Sequence, residues 1–150
     1  MFVHRDANTA GTAARRQEIE KAAAPTGLPV VPVIPVRALE AWLLLDEQSI
    51  REVAGNPRGT VPLGLPEPRR VERVVKPKAL LREVIATASE ASGRRLARLH
   101  RSFPQARAQR LSRLSLDGPV AGVPGWQVLV HDTREAIEAL RRGMVRPQEP

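Results

Sequence analysis

The order of apolar and polar residues alternates between strand-like and helix-like segments. Phe2 and Val3 end an apolar strand that runs into the polar His4-Arg5-Asp6. From Ala10 to Ala24 the spacing predicts a helix, with Arg15, Arg16, Glu18, Glu20 and Lys21 opposite Ala14, Ile19 and Ala22. Pro25 and Gly27 stop it. Leu28 to Val36 is β-branched and reads as a second strand. Pro29, Pro32 and Pro35 have no amide to donate, so this strand pairs incompletely or lies near an edge. Arg37 to Asp46 predicts a strongly apolar helix, with Glu40 in about its first turn, near the carboxyl end of the preceding strand. A shorter helix covers Glu47 to Val53.

Gly55 to Arg69 contains three Gly and four Pro and is a loop. A helix runs from Pro77, well placed in a first turn, to Ser89. Gly93 to Leu114 is rich in arginine and broken by Pro104; Asp117 to Gly125 forms another loop. Trp126 to Val130 reads as a last strand, with Asp132 capping a closing helix from Thr133 to Arg142. Residues 143–150 read as a disordered tail.

Strands alternating with helices predict an α/β fold: a small, mostly parallel sheet with flanking helices, in one domain over residues 1–142. Three strands are few for such a sheet, and the first begins at the chain start. The expectation is therefore an upstream portion absent from this chain, or a protein partner that completes the sheet.

Composition narrows the chemistry. Aromatic residues make up only 3% of the chain, so the core is aliphatic with Trp42 and Trp126 as its large anchors. The absence of cysteine excludes disulfides, zinc-thiolate sites and a Cys nucleophile. No apolar run spans a bilayer and the start does not read as a signal peptide, so a cytoplasmic location is expected. The net charge of +8 favours anionic partners, nucleic acid first and acidic protein surfaces second.

Candidate chemistry centres on the strand end His4-Arg5-Asp6-Ala7-Asn8. Ligands of open α/β sheets sit beyond the carboxyl ends of strands. A carboxylate two residues before an amide oxygen suits a hard cation such as magnesium, which takes oxygen ligands and few carboxylates. Glu40 follows the next strand, so Asp6, Asn8 and Glu40 form a candidate metal site, with Asp6 and Glu40 as the catalytic pair. The plainer alternatives are that Asp6 caps a helix or pairs with Arg15 or Arg16, and that Glu40 is a first-turn acid favoured by the helix dipole. His4 suits proton transfer but equally a hydrogen-bonded strand end, while His100 and His131 are scattered. Gly55-Asn56-Pro57-Arg58-Gly59 lacks the Gly-Lys-Ser/Thr ending of a nucleotide P-loop.

A second feature is the arginine cluster Arg94, Arg95, Arg98, Arg101, Arg107, Arg110 and Arg113, with no acid between Glu90 and Asp117. Arg94, Arg98 and Arg101 share one helical face, as do Arg107, Arg110 and Arg113. Such stripes suit a phosphate backbone, where each contact releases counterions. A solvated face that keeps the protein soluble is the alternative. Apart from Phe103 there is no aromatic platform for base stacking.

The segments HRDAN, VPVIP, RALEAWLLLD, GNPRG, KPKALL and GRR follow in the order of a bacterial family, domain of unknown function 4276, which this chain resembles over most of residues 2–115. That family is considered similar to Toprim domains. The resemblance implies magnesium-dependent phosphoryl transfer or nuclease-type activity on nucleic acid, in phage defence or mobile elements. Asp6 matches the first aspartate of the family's Asp-x-Asp, and Asn8 stands where the second would be. Glu40, Trp42 and Asp46 match its Glu-Ala-Trp-Leu-Leu-x-Asp helix. The early strand and glutamate of a Toprim domain would precede Met1.

Overall fold

The computed structural model describes residues 1–7 and 9–144. In chain order its elements are β1 (Phe2–His4), α1 (Thr12–Ala23), β2 (Val31–Val33), α2 (Glu47–Val53), α3 (Pro68–Val71), α4 (Pro77–Ser89), α5 (Gly93–Arg101), α6 (Phe103–Ser112) and α7 (Pro124–Met144). Short 3-10 turns occupy Ala24–Thr26, Leu39–Leu44 and Pro119–Gly122. The described chain is mostly helical, with one small parallel sheet. None of its helices is long and apolar enough to cross a membrane. It divides into two compact units, residues 1–36 with the segment from Pro124 onward, and Arg37–Val123.

The first unit holds the sheet. β1 pairs β2 in parallel, Phe2 against Val31 and His4 against Val33, as the strand–helix–strand order predicts. The pairing continues past the strands, with Arg5 donating its amide to Val33 O and Ala7 to Pro35 O. Ala7, Ile19 and Ile34 form a small core, with Val3 and Val30 packed on it. α7 belongs to this unit and packs against β2.

The expected third strand is not one. Trp126 to Val130 lies within α7, and the half-buried positions 126, 129, 130 and 133 follow a helical period instead of alternating. Pro124, at the first helical position, costs that helix no hydrogen bond. Asp132 is therefore mid-helix, not a cap; its carboxylate takes Arg16 of α1 at 2.6 Å. The expected tail begins inside this helix, since Gly143 and Met144 are helical; residues 145–150 lie outside the described residues.

The second unit is helical. α4 presents Leu81, Val84, Ile85 and Ala88 as one buried stripe, and α2 and the Leu39–Leu44 turn pack against it. α4 starts at Pro77 and ends at Ser89 as its pattern predicts. The apolar segment around Trp42 forms a 3-10 turn rather than the expected α-helix. Asp46 interrupts it: the residue is extended, and its carboxylate accepts the Ser49 amide at 3.0 Å, capping α2. The 3-10 turn stands where the first of two helices was expected, and the second, Glu47–Val53, forms as α2 with the expected bounds.

Candidate functional site

Asp6 sits just beyond β1, half-buried. Its Oδ1 is 3.3 Å from His4 Nε2, and the contact lacks hydrogen-bond geometry; the oxygen is buried without a partner. The plainer roles do not apply. Gly11 stands at the N-cap of α1, Arg15 pairs with Glu18, and Arg16 pairs with Asp132 and Glu20. Arg5 is likewise committed to Glu18, at 2.6 Å. Asn8 lies outside the described residues.

Glu40 is buried in the second unit, at 6% exposure, and Arg107 Nε stands 2.7 Å from its Oε1. The contact is a close ion pair, but the N–H is not aimed well enough to count as a hydrogen bond. A carboxylate neutralised in this way is not free to ligate a cation. Among the described residues no three His, Asp or Glu side chains converge as a metal-binding group. Magnesium asks for one or two carboxylates with waters or substrate phosphates completing its shell. Asp6, with an unpartnered oxygen, fits one such position, and Glu40 does not fit the second.

The arginines divide into two sets. α5 has no buried residue along its length, and Arg94, Arg95, Arg98 and Arg101 are all exposed. Among the described residues no carboxylate lies within 4.0 Å of any of the four. Arg94, Arg98 and Arg101 lie on one side of the helix, as their spacing predicts, with Arg95 beside them.

The α6 set is different. Arg107 is bound to Glu40, and Arg113 donates to Glu52 Oε2 at 2.7 Å. Arg110 is 1% exposed, and its Nε donates to the Leu43 carbonyl at 3.1 Å. Burial pushes its guanidinium below the ordinary pKa, with Asp46 opposing and Arg113 adding to the shift. Arg110 is a core residue, and the expected stripe of Arg107, Arg110 and Arg113 does not stand free on the surface.

The Gly55–Gly59 loop is a structural knot. Asn56 Nδ2 donates to Ala88 O at 3.1 Å, and Glu90 Oε1 accepts the Thr60 amide at 3.1 Å. A Cβ on Gly59 would come within 2.5 to 2.9 Å of the ends of the Asn56, Glu90 and Arg51 side chains, which would have to shift to admit it. The buried Arg51, held by Glu47 and by Val61 O, has no local sequence signal.

Charge follows the same division. Arg37–Val123 contains 16 Lys and Arg against nine Asp and Glu, so +7 of the net +8 belongs to the second unit. Its described surface defines a basic helical module with an arginine-faced helix at residues 93–101. No family model, curated protein or solved structure matches the chain.

Proposed function

We propose that the protein binds nucleic acid through the phosphate backbone, using Arg94, Arg95, Arg98 and Arg101 of α5. The observation that carries this reading is that four exposed guanidinium groups share one short helix with no carboxylate beside them. A surface whose only task was solubility would gain from interspersed acids, and this one has none. Phe103 is buried, so no stacking platform accompanies the arginines and base readout has no support. The interaction expected is electrostatic and indifferent to sequence.

Four phosphate contacts give a slope of log K against log salt of about −3.6, a loss of roughly 150-fold between 50 and 200 mM salt. Fluorescence anisotropy with a short DNA duplex in EDTA measures it. Arg94→Ala/Arg98→Ala should halve the slope. A slope that is flat, or unchanged in that variant, rejects the reading.

A second reading, a Toprim-like site for magnesium and phosphoryl transfer, rests on the buried Oδ1 of Asp6, which accepts no hydrogen bond. A divalent cation bound there would neutralise phosphate charge and activate an attacking oxygen. Metal at 100 times its dissociation constant should stabilise the fold by about 2.7 kcal/mol. A melting shift with manganese or magnesium that disappears in Asp6→Ala supports this reading; a shift that survives the substitution removes Asp6 from it.

A further inference from the structure

The second unit contains an open groove of about 820 Å³ between the start of α4 and the end of α5. Lys76, Lys78 and Arg82 line it, with His100 from α5, and Glu83 is its one acid. All three cations are exposed, and among the described residues no carboxylate lies within 4.0 Å of any of them. Arg82 is also held in place: its Cζ lies 4.8 Å above the ring of Phe103, which is buried. The half-buried Ala38 and the exposed Ala79 give the groove an apolar surface between the charges.

These features do not belong to the arginine stripe. His100 lies about 100° or more around α5 from Arg94, Arg98 and Arg101 at 100° per residue, so the groove opens on a different side of that helix. The lining carries three fixed positive charges against one negative. Its volume falls within the range of about 300–1,000 Å³ found for organic ligands. Cations around an apolar surface match a ligand with a charged end and a flat or apolar body.

We propose that this groove binds a phosphorylated organic anion of nucleotide size, with phosphates on Lys76, Lys78 and Arg82 and the organic body against Ala38 and Ala79. The site is independent of nucleic-acid binding by α5. Its test is calorimetric titration of the full chain with ATP, adenosine and inorganic tripolyphosphate, in EDTA at 50 mM salt. ATP is expected to bind at least fivefold more tightly than tripolyphosphate, and adenosine not measurably.

Lys76→Ala/Lys78→Ala should weaken ATP at least tenfold, and Arg82→Gln should weaken it as well. Arg94→Ala/Arg98→Ala should leave it unchanged. Circular dichroism checks that each variant is folded; Lys76→Gln/Lys78→Gln replaces the alanine pair if that pair is not. Equal affinity for ATP in the lysine variant overturns the proposal, as does loss of binding in the α5 variant. Tripolyphosphate binding as tightly as ATP overturns the organic-ligand assignment.

Discussion

Glu40 and Arg107 make an asymmetric pair, and the asymmetry sets what each substitution should cost. The Glu40 side chain is 8% exposed and the Arg107 side chain 41%. Arg107→Met leaves a carboxylate in the interior with no cation. Removing one partner of a fully buried pair costs about 3–5 kcal/mol; with water reaching the Arg107 side, about 2 kcal/mol is expected here. Glu40→Gln removes the buried charge, keeps the shape, and leaves a guanidinium that can turn to solvent. That change should cost about 1 kcal/mol or less. The double variant should resemble Glu40→Gln alone, giving a coupling of about 2 kcal/mol.

Urea unfolding followed by Trp42 fluorescence, in a Trp126→Phe background, reports on the unit that contains the pair. For an m-value near 2 kcal/mol/M, Arg107→Met should lower the midpoint by about 1 M. The reasoning fails if Arg107→Met costs no more than Glu40→Gln, or if the two costs simply add. The same series tests Glu40 as a metal ligand. In that role its glutamine variant would abolish a metal-induced melting shift, which the ion-pair role leaves unchanged.

Arg110 should behave as a core residue. Arg110→Met keeps most of the volume and removes a desolvated charge, so the urea midpoint should correspond to a change within about 1 kcal/mol. Arg110→Ala should cost about 3 kcal/mol through the cavity it leaves, and neither variant should alter the salt slope of DNA binding; a loss in Arg110→Met like that in Arg94→Ala/Arg98→Ala would contradict its placement. For Glu18, hydrogen bonds from Arg15 and then Arg5 hold the carboxyl below its ordinary pKa in the folded state. Its contribution is thus present above the unfolded value and lost as pH falls through the folded one. The melting temperature should accordingly fall less steeply on acidification in Glu18→Gln than in the parent chain, and parallel curves would show that the two contacts contribute nothing.

Local signals located most helices and misjudged those whose outcome depends on distant partners. The stripe of Leu81, Val84, Ile85 and Ala88 and the proline in the first turn both point to α4, and they agree with its packing. The Trp126–Val130 segment misleads because a five-residue run with four apolar members satisfies either period; only the continuation through Thr133 selects the helix. The Asp6 strand end was legible from chain order, and so was the parallel pairing of β1 with β2. That Glu40 is neutralised was not, since Arg107 lies 67 residues further on. Lys76 and Lys78 read as a helix start, whereas their shared groove with Arg82 and His100 exists only in the folded unit.

The arginines show why spacing alone could not assign function. α5 and α6 carry arginines at similar intervals, in a stretch with no acids of its own. What separates them is what the fold brings to each helix. α6 receives Glu40, Glu52 and the Leu43 carbonyl from segments 61 to 67 residues away, and so its arginines become structural. α5 receives no carboxylate within 4.0 Å among the described residues, and its arginines stay exposed and unneutralised. Similar arginine spacing on α5 and α6 therefore goes with unequal roles. Charge removal on α5 should change binding and leave stability nearly untouched, while charge removal at Arg107 should do the reverse.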